Sequence, residues 1–176
     1  IHPLHIGHLR NAVIGEAIAR LLSRSGHEVS RHFYINDMGL QVAYAAYGFK
    51  LVGTDFQKED KPDHYVGVIY STIYLLSEIA KLKDKLSKLN NEEEIKYVKP
   101  NIDDLIENID RIRANNPALV DALIEGTKDS NIESEVTRLS RSYEKKDPQA
   151  VTNIRKMCNF VFESFKETFS KLGIEF

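Results

Sequence analysis

Two histidines, His5 and His8, lie three residues apart near the start of the chain, on either side of the glycine Gly7. At this spacing both imidazole rings can project to one side, and each can donate an N–H hydrogen bond to an anionic oxygen. The following residues have a helical pattern, and the unpaired amides and positive dipole end of a helix favour an anion. Because Gly7 has no side chain, a flat ring such as adenine could pack against its backbone. The spacing predicts a phosphate-binding turn whose donors stabilise charge on an α-phosphate under attack.

Two other interpretations of these histidines stay open. They could be ordinary surface side chains near a terminus, because a short H-x-G-H pattern also arises by chance. His2, His5 and His8 are also evenly spaced and could bind a metal ion together. No carboxylate or cysteine lies nearby in the sequence to complete or orient such a site, so we predict no metal.

The residues that follow predict the elements that hold this turn. Residues 8–25 carry apolar side chains on one helical face, and Gly26 suits the left-handed position that ends a helix. Residues 28–35 alternate between apolar and polar side chains, which predicts a strand. Asp37 can cap a helix predicted over residues 40–51. This order indicates a βαβ unit whose first strand would precede residue 1.

The rest of the chain is predicted to be helical, apart from a polar loop at residues 90–99. Apolar stripes predict helices over residues 65–88 and 102–112. Three further helices are marked by their capping and terminating residues: Asn116-Pro117 with Gly126, Ser130 with Glu133, and Asp147-Pro148 with Gly173. We therefore predict an α/β fold that is mostly helical, with short strands only at residues 28–35 and 174–176.

Composition places the chain among globular proteins. It has 176 residues, of which 42% are hydrophobic and 28% charged, and its formal net charge of -2 gives no overall signal for nucleic acid. Its single cysteine, Cys158, excludes an internal disulfide and favours a reducing compartment, so we expect a cytoplasmic protein. No apolar run approaches the roughly 20 residues that span a bilayer, and we expect no membrane partner. Because the chain begins at Ile1 directly before the histidine motif, we expect it to be a piece of a longer protein.

Three segments resemble one protein family. The sequence PLHIGHLRN from Pro3 to Asn11, with the helical residues up to Leu22, closely resembles the HIGH region of arginyl-tRNA synthetases. The sequence YINDMGLQ, residues 34–41, resembles the archaeal-type form of that family. Residues 165–176 resemble the family segment that leads back into the catalytic sheet. Over residues 55–115 the resemblance is weak.

The resemblance implies a class I aminoacyl-tRNA synthetase with a Rossmann-type (HUP-like) catalytic domain. Such an enzyme uses ATP and Mg²⁺ to activate arginine and then transfers it to tRNA(Arg). By this resemblance, His5 and His8 are the catalytic residues that stabilise the transferring phosphoryl group. The other residues implied to bind ATP are Pro3, Leu4, Ile6 and Gly7. A substrate-side loop of the same site is implied for Asn36, Asp37, Gly39 and Gln41, although a turn with a helix cap explains these residues equally well.

We expect three regions: a partial Rossmann core (1–54), a helical insertion (55–115) and helices that return to the core (116–176). No K-M-S-K-S-like sequence occurs in the chain, so the isolated chain is predicted to be inactive in arginylation. An unpaired strand at residues 28–35 predicts self-association through its edge. Two alternative functions are a nucleotidylyltransferase that shares the H-x-G-H turn, and an inert helical interaction module.

Overall fold

The computed structural model describes residues 3–34, 36–57 and 61–175, and these residues form a helical protein. Its elements are α1 (Ile6–Arg24), α2 (Leu40–Val52), α3 (Pro62–Lys88), α4 (Glu92–Asn115), α5 (Pro117–Thr127), α6 (Ile132–Glu144) and α7 (Pro148–Lys171). The mostly helical fold is confirmed. No helix in the described ranges combines the length and the apolar character needed to cross a membrane.

Helix α2 lies at the centre of the main core. Residues 42–49 are all buried, and α2 packs against α3, α5, α6 and α7. Gly48 allows the close approach of α3, because an added Cβ would lie 2.4 Å from Cγ2 of Ile69 and 2.7 Å from Cγ1 of Ile73. Both isoleucines are fully buried. The α2–α3 contact therefore depends on the absence of a side chain at Gly48.

A second, smaller core joins α3, α4 and α5 through Ile79, Val98, Ile102, Ile109 and Val120. Here the predicted loop at residues 90–99 is wrong, because α4 begins at Glu92. The side chain of Asn91 caps α4 by accepting a hydrogen bond from the amide of Glu93 at 3.0 Å. Three glutamates in the first turn also complement the helix dipole. The polar composition that suggested a loop is that of a capped helix start.

Helix α1 lies outside both cores and is joined to the rest of the chain by polar contacts. The carboxylate of Glu16 accepts hydrogen bonds from Nε of Arg31 at 2.7 Å and from Nε of Arg20 at 2.7 Å. These two guanidinium groups, Arg31 first, hold the pKa of Glu16 below its usual value. A guanidinium N–H of Arg20 also donates to the carbonyl of Gly173 at 2.5 Å. The C-terminal end of α7 is thereby tied to α1.

The predicted apolar face of α1 is present but largely uncovered. Ala19 is the one buried residue of this helix, and the large apolar side chains that remain exposed are Ile6, Val13, Ile14, Ile18, Leu21 and Leu22. Exposure ranges from 43% at Leu22 to 81% at Ile6. An apolar stripe of this kind normally packs against another element.

The predicted strands are wrong within the described residues. Residues 28–34 and 174–175 are irregular, whereas Ile35 and Phe176, which complete the two predicted strands, lie outside the described residues. A strand needs a hydrogen-bonded neighbour, and the described part of the chain supplies none. Instead, the ring of Phe33 packs against three rings of α7 at centroid distances of 5.6 to 6.4 Å, those of Phe162, Phe165 and Phe169. The strand edge on which the expected self-association depended does not form in residues 28–34.

Two predicted caps are also wrong. Gly39 precedes α2 with a φ of 105°, and its position leaves Asp37 outside the cap. Before α6, the capping-box spacing of Ser130 and Glu133 has no counterpart, because Asn131 caps this helix by accepting from the amide of Ser134 at 2.9 Å. In both places the cap lies one or two residues from the predicted position.

Other helix ends follow the sequence. The side chain of Asp147 accepts hydrogen bonds from the amides of Gln149 and Ala150 at the start of α7. Gly26 and Gly173 have φ values of +87° and +65°, the left-handed conformation expected where a helix ends. Helix α5 begins at Pro117 as predicted and continues one residue past Gly126. These ends were predictable because their signals are local.

Candidate functional site

The histidine pair forms the start of α1. His5 is the N-cap residue, and its Nδ1 accepts a hydrogen bond from the amide of Gly7 at 3.1 Å. In return, Nδ1 of His8 accepts from the amide of His5 at 3.4 Å. The two ring centroids are 3.8 Å apart and the rings are inclined by 31°. The histidines thus form a reciprocal cap in which both rings lie side by side.

This cap determines which ring nitrogen carries a proton. A nitrogen that accepts a hydrogen bond is unprotonated, so the neutral rings of His5 and His8 carry their proton on Nε2. Both side chains are exposed, and no acidic residue lies in the first turn of α1. The turn therefore combines two Nε2–H donors with the positive end of a helix dipole. Such a set of donors suits an anionic group.

The absence of a side chain at Gly7 leaves space for the His5 ring. A Cβ added to Gly7 would lie 3.0 Å from Cε1 of His5, which is too close for an unchanged arrangement. The backbone of Gly7 is therefore covered on one side by an imidazole ring. The neighbouring side chain of Ile6 is uncovered, with 81% of its surface exposed.

The residues before the turn are held by α3. The amide of Leu4 donates to Oδ2 of Asp63 at 3.3 Å, and Pro3 packs next to Gly67. Pro3 also lines a cavity of about 270 Å³ together with His64 and Gly67. Sequence reasoning did not identify Asp63 on α3, because an aspartate in a first helical turn usually lies at the surface.

A cavity of about 420 Å³ lies beside the histidine pair. It brings together four of the residues predicted for the site: Leu4, His8, Asn36 and Gln41. Asp37 does not line it, because its carboxylate accepts a hydrogen bond from the hydroxyl of Tyr143 on α6. Gly39 forms the start of α2 instead. The loop predicted on the substrate side therefore lies near the histidine turn. Two of its four predicted residues line the cavity, and the other two make structural contacts.

The cavity wall is mainly aromatic and apolar. Its remaining lining residues are Phe33, Tyr34, Cys158, Val161, Phe162 and Phe165. Burial raises the pKa of the Cys158 thiol to about 11, so this group is neutral at physiological pH. Among the described residues no carboxylate lines the cavity, so its wall offers no counter-charge to a guanidinium group. Aromatic walls with few polar groups suit a flat heterocyclic ring.

Two further features of the chain concern a metal site and a lysine-bearing loop. No group of three or more histidine, cysteine, aspartate or glutamate residues in the described ranges could hold a metal ion, and His2 of the three-histidine hypothesis lies outside those ranges. Lys156-Met157 shares two letters with a K-M-S-K-S loop. Met157 is fully buried within α7 and therefore packs in the core.

Comparisons with known proteins identify relatives along the whole chain. Residues 1–161 match the family described as tRNA synthetases class I (R), catalytic domain. An arginine–tRNA ligase of Sulfurisphaera tokodaii is 41% identical over 179 residues, covering 100% of this chain and 29% of the relative. Arginine–tRNA ligases of Saccharolobus solfataricus and Aeropyrum pernix are 40% and 33% identical, covering 28% and 27% of their lengths. The chain therefore spans less than a third of these relatives. No solved structure matches it.

Proposed function

The chain belongs to the family of class I (R) tRNA synthetase catalytic domains, and we propose that it forms part of an arginine–tRNA ligase. That enzyme would join arginine to ATP, releasing pyrophosphate, and would then transfer the arginyl group to tRNA(Arg). The observation that supports this proposal best is the reciprocal His5–His8 cap, which presents two Nε2–H donors at the start of α1. Relatives that carry the ligase name align over the entire chain.

The donors would act in adenylate formation. An oxygen of the arginine carboxylate attacks the α-phosphorus of ATP, a new O–P bond forms, and the bond to pyrophosphate breaks. Negative charge then grows on the oxygens of the α-phosphate and on the leaving group. His5 and His8 would donate their Nε2–H groups to these oxygens, together with amides of the first turn of α1. Donors held in advance where charge develops lower the barrier because no reorganisation is needed.

The other residues of the turn would shape the nucleotide site. Pro3, Leu4, Ile6 and Gly7 would surround the ATP, and the aromatic cavity beside His8 would receive a heterocyclic ring. Asn36 and Gln41 would face the substrate from the same cavity. Asp37 and Gly39 would hold that loop in place.

The fold and domain proposals follow from the exposed face of α1. We assign residues 1–54 to part of a Rossmann-type core, in which the apolar stripe of α1 packs against the sheet of the complete protein. Residues 55–115 would be a helical insertion, and residues 116–176 would return to the core. The protein would work in the cytoplasm.

Mg²⁺ is the cofactor expected for this reaction, and it would screen the phosphate charges. The groups at the turn are imidazole and amide N–H donors, which repel rather than coordinate a cation. These residues do not fit a magnesium site, and no step of the reaction is assigned to the ion.

The test is ATP–pyrophosphate exchange by the complete protein with tRNA present. We expect exchange that depends on arginine and is absent with lysine. Exchange without any amino acid would favour a nucleotidylyltransferase, and no exchange at all would refute the proposal. The isolated 176-residue chain is expected to show only background exchange, because its turn supplies donors to one side of the triphosphate.

A further inference from the structure

Asp63 is a buried carboxylate, and the packing around it does not explain why the chain bears the free-energy cost of burying this group. Only 2% of its surface is exposed, and no ion pair joins it to any described lysine, arginine or histidine. Burying a charge without a cationic partner is unfavourable, and the dipole at the start of α3 offsets only part of that cost. An apolar residue here would avoid that cost but would leave the Leu4 amide and the Ser164 hydroxyl without this acceptor. The carboxylate is therefore best explained by what it binds.

The two oxygens of Asp63 join three separate parts of the chain. Oδ1 accepts a hydrogen bond from the hydroxyl of Ser164 on α7 at 2.7 Å. Oδ2 accepts from the amide of Leu4 at 3.3 Å. Leu4 immediately precedes His5, so this bond fixes the backbone from which the first imidazole projects. Ser164 in turn fixes the carboxylate against α7.

Gly67 provides an independent sign that α3 is shaped for the turn. It lies four residues after Asp63 and therefore on the same face of α3. An added Cβ would lie 3.1 Å from Cδ and 3.2 Å from Cγ of Pro3. Gly67 lies inside the helix and has no positive φ, so its backbone does not require glycine. The glycine makes space for Pro3.

We propose that Asp63 is a positioning residue for the His5–His8 turn and acts by accepting the hydrogen bond of the Leu4 amide. Gly67 contributes to the same support, called here the α3 seat, by leaving space for Pro3. Neither residue lines the cavity beside His8, so both would act through the turn rather than on substrate. Together they determine where the two Nε2–H donors meet the triphosphate. This inference rests on the proposed function of the turn, and it adds that α3 sets the geometry of catalysis.

The first experiment compares Asp63 variants in the complete protein by arginine-dependent ATP–pyrophosphate exchange. Asp63→Ala frees the Leu4 amide, and a misplacement of about 1 Å at reacting groups lowers kcat about 10²-fold. The KM for ATP should change less than about threefold, because the loss concerns the transition state. Asp63→Asn keeps an acceptor for Leu4 and can donate to Ser164, so it should recover at least about tenfold of the loss.

A matched control separates positioning from general stability. Ser77→Ala also removes a buried hydrogen bond, the 3.2 Å contact with the hydroxyl of Tyr44. Ser77 lies 14 residues after Asp63 on α3, which is about 21 Å along the helix. We expect this variant to retain kcat within about twofold, since stability losses alone do not alter transition-state contacts. If Asp63→Ala loses no more kcat than Ser77→Ala, or if its KM for ATP rises in proportion, the positioning role is wrong.

A second experiment does not depend on a damaged fold. Gly67→Ala raises the helix propensity of α3, so the melting temperature should stay equal or rise, while the displaced Pro3 should lower kcat about tenfold. Gly126→Ala on α5 is the control. Its added Cβ would lie 3.5 Å from Cδ1 of Leu51 on α2, which is an ordinary van der Waals contact. It should leave kcat unchanged. Full activity of Gly67→Ala would contradict the seat formed by α3.

A spectroscopic readout keeps this inference separate from the proposed function. With histidine-selective labelling, the imidazole resonances of His5 and His8 should shift in Asp63→Ala and stay in place in Ser77→Ala. Unchanged resonances would overturn the positioning role whether or not the wild type catalyses exchange. Shifted resonances in a protein without exchange activity would support positioning and refute only the ligase assignment.

Discussion

His5 caps α1 in the structure and would donate a hydrogen bond in the proposed mechanism, and the substitutions His5→Asn and His5→Ala distinguish these two roles. Its Nδ1 caps α1 by accepting from the amide of Gly7, and its Nε2–H is directed to a ligand in the proposed mechanism. Asparagine is a favourable N-cap residue and keeps an acceptor at the first position. It is too short to place a donor where Nε2 lies. Alanine removes both the cap and the donor.

The expected magnitudes differ between the two roles. Loss of the cap in His5→Ala should lower the free energy of unfolding by about 0.5–2 kcal/mol. In His5→Asn the free energy of unfolding should stay within a few tenths of a kcal/mol of the wild-type value. Both variants should lose about 10²–10³-fold in the rate of adenylate formation, because both lack the donor. The KM for ATP should change much less.

Two measurements on the complete protein test this reasoning. Thermal unfolding reports the cap, and ATP–pyrophosphate exchange at varied ATP concentration reports the donor. His8→Ala should fall in the same range of rate loss. The reasoning fails if His5→Asn exchanges pyrophosphate at nearly the wild-type rate, since His5 would then be only a cap. Equal losses of ATP affinity and rate would show that His5 acts in ground-state binding.

Three further predictions concern other contacts. Tyr143→Phe removes the hydroxyl that donates to Asp37, so kcat/KM in exchange should fall about fivefold, the equivalent of a net hydrogen bond of about 1 kcal/mol. Gly48→Ala should lower the melting temperature, because overpacking against Ile69 costs about 1–3 kcal/mol and the gain in helix propensity returns only about 0.5–1. At pH 8, Cys158 should react with iodoacetamide at least about 100-fold more slowly in the native protein than in urea, because burial raises its pKa to about 11 and suppresses the thiolate.

Each of these has an outcome that would contradict it. Unchanged kinetics in Tyr143→Phe would show that the Asp37 contact does not support the loop. A melting temperature of Gly48→Ala equal to that of the Gly126→Ala control would mean that α2 and α3 can separate without cost. Rapid native alkylation of Cys158 would exclude its burial. Because the folded pKa of Cys158 is raised, its contribution to stability is present below the unfolded pKa and is lost as pH rises towards about 11.

The parts of the fold that sequence predicts well are those with local signals. The start of α7 follows from Asp147 followed by proline, and Gly26 and Gly173 end their helices in the left-handed conformation. The amphipathic pattern of α1 is also present in the structure, within two residues of its predicted bounds at each end. These signals work because the capping group and the helix it caps are neighbours in the chain.

The predictions that fail needed information from distant residues. Alternation over residues 28–34 indicates two unlike faces, but a strand also requires a partner, and Phe33 finds the rings of α7 instead. Asp37 is a residue type that often caps helices, but its carboxylate accepts a hydrogen bond from the hydroxyl of Tyr143, 106 residues away in the chain. For the same reason the sequence showed His5 and His8 but gave no hint of Asp63.

The histidine turn and the helix α1 that follows it are held by residues far along the chain. Leu4 meets Asp63 59 residues later, and Arg20 meets the carbonyl of Gly173 153 residues later. A chain is synthesised from its N-terminus, so the turn leaves the ribosome well before α3 and α7 exist. The histidine turn and α1 therefore complete these contacts only after α3 and α7 have been synthesised. Until α7 has emerged, neither the Arg20–Gly173 hydrogen bond nor the hydrogen bond from Ser164 to Asp63 can form, so the turn and α1 lack two contacts that hold them in the folded chain.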